Sequence, residues 1–136
     1  VNNKFFMYGT LKVGGAYDRF DSIRESADKA TIGGSIFNLG PFPAIKLDGH
    51  GLVQGEVQTF KEEHLDRIMA RLDEIESYIP EEPELSLYIR REVEATLYNK
   101  ERVTAWVYEF RRPIPERHRI EEGIWLAPWD RPSRWM

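Results

Sequence analysis

Two hydrophobic rhythms alternate along this chain: short apolar or alternating runs that suit strands, and one stretch with the period of a helix. "KFFMYG" (4–9) is apolar and aromatic up to a glycine stop, which predicts a first, central strand. The polar segment 15–28, with scattered apolar positions, predicts a short helix or a covering loop. "KATIGGSIFNLG" (29–40) reads as a strand interrupted or bent at Gly33-Gly34 and closed by a turn. Two prolines then frame Phe42 in "PFPAIKL", and 51–60 alternates well enough for another strand. Over 61–80 the period changes: Leu65, Ile68, Met69, Leu72 and Ile75 fall at i, i+3, i+4, i+7 and i+10, one stripe of an amphipathic helix. Glu62 and Glu63 occupy its first turn, where acidic groups favour the helix dipole, and Pro80 and Pro83 bound its far side. "LYIRREVEATLYN" (87–99) puts Ile89, Val93, Ala95 and Leu97 on one face, while "RVTAWVYEF" (102–110) is apolar on both, so the two predict a hairpin with a more buried second strand. Strands first, one main helix, then a hairpin predict an α+β fold with a mostly antiparallel or mixed sheet. Neither an internal repeat nor a low-complexity linker divides residues 1–136, so one domain is expected.

One carboxylate breaks the helical pattern. With Leu65 at zero and about 100° per residue, the five apolar positions lie within about 80° of it, and Glu74 projects roughly opposite, towards solvent. Glu76 falls at about 20°, inside the stripe and one turn after Leu72. A carboxylate there is costly unless it is paired, hydrogen-bonded or protonated, and burial raises its pKa to where it can both take and give a proton. Two blander readings stand beside this one: the helix has frayed by residue 76, or Arg90 or Arg91 pairs with the carboxylate. The turn after the first strand, "YGTL" (8–11), raises a parallel question. Gly9 allows close approach and unusual dihedrals, and backbone N–H groups without a strand partner can bind a carboxylate or an amide oxygen, although most glycine turns only reverse the chain.

Composition narrows the field. Lys and Arg total 19 against 23 Asp and Glu, a formal charge of −4, which supplies no electrostatic reason to expect nucleic acid or an anionic membrane as partner. The basic cluster 110–119 is broken by two prolines and Glu116 and reads as a solvated loop. The absence of cysteine removes disulfides and thiolate chemistry, and the three histidines stand far apart, so no metal site is expected. No apolar run reaches membrane-spanning length and the first residues lack a signal-peptide core, so a cytoplasmic protein is the expectation.

Taken in order, the motifs resemble those of the γ-glutamylcyclotransferase-like superfamily, in its γ-glutamylamine cyclotransferase and avirulence-induced branch. "YGTL" after an N-terminal strand, "GSIFNLGPFPAI" (34–45), "VQGEVQTF" (53–60), "LDEIESY" (72–78), "YIRREVEATL" (88–97), "AWVYEF" (105–110) and "EEGIW" (121–125) carry the resemblance from about residue 4 to 125. It implies a small mixed β-barrel of about six strands with one main helix and shorter helices, the cavity lying at one end. It also implies that Tyr8, Gly9, Thr10 and Leu11 bind substrate and that Glu76 is the general acid/base. The implied reaction is intramolecular aminolysis of a γ-glutamyl amine or peptide to 5-oxoproline and a free amine, with no metal or organic cofactor. Tyr88 and Tyr108 are candidates for hydrogen bonds within the cavity, against a simpler reading as packed strand aromatics. Ser77 stands where many members have glycine, and the stretch after Glu76 is longer than the common spacing. The competing functional reading is a non-catalytic module that captures a small molecule or peptide end in the same cavity. The C-terminal tryptophans, Trp125, Trp129 and Trp135, suggest a packing flap or an oligomer contact; the attached amine and the oligomeric state stay open.

Overall fold

In strand β1 (Lys4–Met7) the run Phe5, Phe6 and Met7 is apolar because both faces of the strand are covered there. Phe6 packs into one core, with residues from all five barrel strands, and Phe5 and Met7 pack into a second, under the helix. The structure, a computed structural model, describes residues 1–9, 12, 20, 22–40 and 42–125. After β1 come β2 (Arg24–Gly33), β3 (Ser35–Asn38), β4 (Pro43–Lys46), β5 (Leu52–Phe60), α1 (Leu65–Ile75), β6 (Tyr88–Leu97) and β7 (Arg102–Phe110). Single 3-10 turns stand at Glu62–His64, Pro83–Leu85 and Glu116–His118.

Five strands close into a barrel in the order β1-β5-β2-β6-β7, and β3 pairs only with β4 as a separate two-stranded sheet. All the barrel pairings are antiparallel except β1 with β7, where Phe5 faces Trp106 and the barrel closes. The expected mixed barrel with one main helix is therefore present, with five strands in place of about six. The remaining pair is split off at Gly34, whose φ of +151° turns the chain out of β2. A side chain at Gly34 would stand 2.7 Å from the Lys46 carbonyl, so β3 and β4 can approach only with glycine there.

Two expectations for local structure change. Residues 24–28 belong to β2, not to a helix or loop: Arg24–Gly33 pair along β5, with an irregularity between Arg24 and Ser26. The apolar rhythm is weak there because Glu25, Ala27, Asp28 and Lys29 are exposed, and backbone pairing rather than burial defines the strand. The helix is also shorter than 61–80. Glu62 and Glu63 lie in the preceding 3-10 turn, and α1 stops at Ile75, well before Pro80.

The first core fills the barrel with Phe6, Ala30, Ile32, Val53, Val57, Ala95, Ala105 and Val107, and is capped by Ile36, Ile45, Ile120 and Trp125. The second packs Leu65, Ile68 and Leu72 of α1 against Phe5, Met7, Phe60, Tyr88 and Tyr108. β7 serves both cores, as its two apolar faces predicted. Of the three late tryptophans, Trp125 is a core residue, whereas Trp129 and Trp135 lie outside the described residues.

Candidate active site

The end of α1 sets the site. Ser77 adopts φ +54°, its N–H donates to the Glu74 carbonyl at 3.2 Å, and the Tyr78 N–H reaches the Asp73 carbonyl at 2.8 Å. These two bonds with a left-handed residue between them form a Schellman motif, which ends a helix in one defined geometry. Glycine is favoured at the left-handed position because it has no Cβ penalty, so Ser77 holds this turn at some cost. Glu76 is the last residue before the reversal. Its N–H still bonds the Leu72 carbonyl at 2.9 Å, so it keeps its helical place in the apolar stripe.

From there the Glu76 side chain enters the wall of a cavity of about 360 Å³. Tyr8 and Gly9 at the end of β1, Phe42 and Pro43 at β4, Ser77 and Leu87 beyond α1, and Tyr88 and Tyr108 on the hairpin share that wall. Burial pushes the Glu76 carboxyl from 4.5 up to about 7. Neither arginine considered as its partner takes that role: Arg90 pairs with Asp73, and Arg91 with Glu109 at 2.7 Å. Among the described residues nothing hydrogen-bonds or ion-pairs with the Glu76 carboxylate. Frayed-helix and ion-pair readings both give way to an unpaired carboxyl facing a cavity.

The tyrosines are more than packing. Tyr8 donates its hydroxyl to the Tyr108 carbonyl at 2.6 Å, Tyr88 to the Pro43 carbonyl at 2.8 Å, and Tyr108 to Asp73 Oδ1 at 2.6 Å. Desolvation raises the pKa of all three, with the Glu76 charge adding to the rise at Tyr8 and Tyr88. Each phenol proton is therefore engaged, and towards a ligand Tyr88 and Tyr108 can only accept. An unpaired carboxyl and accepting phenol oxygens together favour a ligand that brings N–H donors.

Gly9 has a steric reason to be glycine. A Cβ there would stand 2.6 and 2.7 Å from Cγ and Cδ of Pro43, so the strand end and β4 meet only without a side chain. Its carbonyl accepts the Lys12 N–H at 3.1 Å, closing the turn. Thr10 and Leu11, the other two residues assigned to that turn, lie outside the described residues.

Beyond Glu76 the long connection is a closed loop. The Leu87 N–H bonds the Ser77 carbonyl at 3.0 Å, and fully buried Ser86 receives the Ile79 N–H on its hydroxyl at 2.7 Å. Sequence reasoning passed over Ser86 and Asp73. Asp73 carried a signal, since at about 80° on the wheel it flanks the apolar stripe one turn before Glu76. Among the described residues no group of three metal-ligating side chains converges, and no helix is long and apolar enough to cross a membrane.

This barrel, with a cavity between the first strand, the helix end and the hairpin, matches a known family. The pattern of the gamma-glutamyl cyclotransferase, AIG2-like family covers residues 5–127, and the chain belongs to that family. Among solved structures it resembles YkqA from Bacillus subtilis, with a TM-score of 0.66 and 20% identity over 92% of this chain and 40% of that one. The chain thus spans less than half of that protein. A mouse AIG2-like protein superposes with a TM-score of 0.58 and 19% identity, over 84% of this chain and 80% of its own. A structure named gamma-glutamyl cyclotransferase gives 0.52 and 16%, over 80% and 66%. At these identities the likeness is one of fold. A search of curated proteins found no match.

Proposed function

We propose that this protein converts a γ-glutamyl amine or peptide to 5-oxoproline and a free amine, with Glu76 as its general acid/base. One observation carries the reading: the Glu76 carboxyl faces the cavity unpaired among the described residues, with its pKa lifted to about 7. Family membership supports the same class of chemistry.

The reaction needs little more than a well-placed proton carrier. The α-amine of the γ-glutamyl group attacks its own δ-carbonyl, a C–N bond closes the five-membered ring, and the original amide C–N bond breaks. Because nucleophile and electrophile share one molecule, holding the chain folded supplies much of the rate advantage. The attacking nitrogen arrives as ammonium and must lose a proton; the leaving nitrogen must gain one. A carboxyl with a pKa near neutrality takes the first proton and returns it to the second, so protons balance and no water is consumed. The accepting oxygens of Tyr88 and Tyr108 suit an ammonium-bearing head group. Binding of the head group is assigned to Tyr8 and Gly9 in the cavity wall, and to Thr10 and Leu11, which follow them in the chain. Backbone N–H groups of that turn would stabilise the carboxylate or the developing oxyanion.

The test is release of 5-oxoproline from a panel of γ-glutamyl amines and peptides, comparing the parent with Glu76→Gln. Turnover lost in a folded Gln variant supports both reaction and residue. Equal turnover by the two removes Glu76 from its role, and binding without turnover favours a capture module.

A further inference from the structure

Asp73 stands one helical turn before Glu76 on the same side of α1. Its carboxylate is largely buried, with 14% of the side chain exposed, and both of its oxygens accept from Arg90 Nη1. Oδ1 also accepts the Tyr108 hydroxyl at 2.6 Å. Arg90, on β6, lies 5.3 Å from the ring centres of both Tyr78 and Trp106. The network continues through the Tyr108 carbonyl, which takes the Tyr8 hydroxyl at 2.6 Å. One side chain thus links α1, β6 and β7, and through β7 the end of β1, which are four of the elements that surround the cavity.

Stability alone is a weak reason for such a pair, since desolvating two charges offsets much of their attraction. The Schellman turn already ends the helix through backbone bonds, so the ion pair adds something other than a stop signal. We propose that Asp73 and Arg90 are positioning residues: their pair clamps the end of α1 to the hairpin, so that the Glu76 carboxyl and Tyr108 meet across the cavity. This rests on the acid/base reading of Glu76. As a neutral unit the pair places almost no net charge near Glu76; losing either member leaves a lone buried charge one turn away. The other ionisable groups facing the site are Tyr8 from β1, Tyr88 from β6 and Tyr108 from β7, all neutral near pH 7. Glu109 on β7 also acts on Tyr8 and is held by Arg91.

Removing each partner should therefore displace Glu76 in opposite directions. Asp73→Asn leaves an unpaired guanidinium, favours the Glu76 anion and lowers its titration by about one pH unit; Arg90→Gln leaves an unpaired carboxylate and raises it by about as much. Arg90→Lys keeps the charge but loses the planar guanidinium that lies 5.3 Å from the Tyr78 and Trp106 ring centres, so Glu76 should titrate near its parent value while turnover falls at least about tenfold, mainly in kcat. The experiment follows the Glu76 side-chain carbon by NMR in the substrate-free parent and the three variants, with Glu76→Gln for assignment. The pH profile of 5-oxoproline release is measured beside it. Opposite displacements with an Arg90→Lys defect confined to turnover are the expected result. Shifts in the same direction, no shifts, or an Arg90→Lys variant equal to the parent in turnover overturn the proposal. Should the Asn or Gln variant fail to fold, the Arg90→Lys comparison still decides. If the parent itself turns over nothing on the panel, the reaction assignment fails, while the titrations still judge the clamp.

Discussion

Burying the Glu76 carboxyl in the cavity wall has a thermodynamic consequence that needs no substrate. Burial lifts Glu76 from 4.5 in the unfolded chain to about 7 in the folded one. Between those values the native state holds a proton that the unfolded state has released. The stability attached to this group is thus complete below about pH 4.5, declines as pH rises, and is lost above about pH 7. The gap is about 2.5 in pKa, which at 1.36 kcal/mol each amounts to roughly 3.4 kcal/mol. Glu76 keeps partial exposure to the cavity, and water there screens part of the cost, leaving about 2 kcal/mol. That is a measurable share of the roughly 5–15 kcal/mol that holds a domain folded. Glu76→Gln removes the titration while keeping size and shape. Urea unfolding of both proteins at pH 5 and pH 8.5 should show the Gln variant gaining about 1–1.5 kcal/mol on the parent at the higher pH, because part of the term is already lost at pH 5. Any fixed cost of the amide cancels in that difference. A stability gap that does not change with pH would refute the burial argument, and with it the reason for a neutral-range acid/base.

Two further substitutions probe the frame of the site. Ser77→Gly should stabilise the fold by roughly 0.5 kcal/mol, because φ +54° costs serine more than glycine, less the extra freedom glycine has when unfolded. A lower urea midpoint for the Gly variant would show that the serine side chain holds the turn. Gly9→Ala should cost about 1–3 kcal/mol, since its Cβ would overlap the buried Pro43 ring at 2.6 Å, and thermal melting reads this directly. An unchanged melting temperature would mean that β4 yields without penalty.

Much of the frame was legible because local chemistry and tertiary demand agree. The stripe Leu65, Ile68 and Leu72 is buried as its period requires, and the hairpin formed with its buried second strand. Misreadings arose where the pattern carried no burial signal. The first half of β2 is polar because its exposed side chains face solvent, and a strand defined by backbone pairing leaves no apolar rhythm. Proline at 80 looked like the helix boundary, yet Ser77, a residue with no strong stop character, ends the helix through its left-handed backbone.

The same division holds for the candidate site. Sequence alone determined that a carboxylate at 76 would sit in an apolar stripe, because helical periodicity is a property of neighbouring residues and needs no fold. It also singled out the Tyr8-Gly9 turn at the end of an apolar strand, and the motif order that marks the family. Tertiary structure alone decided that Arg90 would take Asp73 and leave Glu76 without a partner among the described residues, although either acid was open to it. It alone decided that Pro43, Tyr88 and Tyr108, distant in the chain, would meet around that carboxyl. The physical reason is that partner choice and burial depend on which surfaces the closed barrel brings together. No spacing along one strand or one helix contains that information.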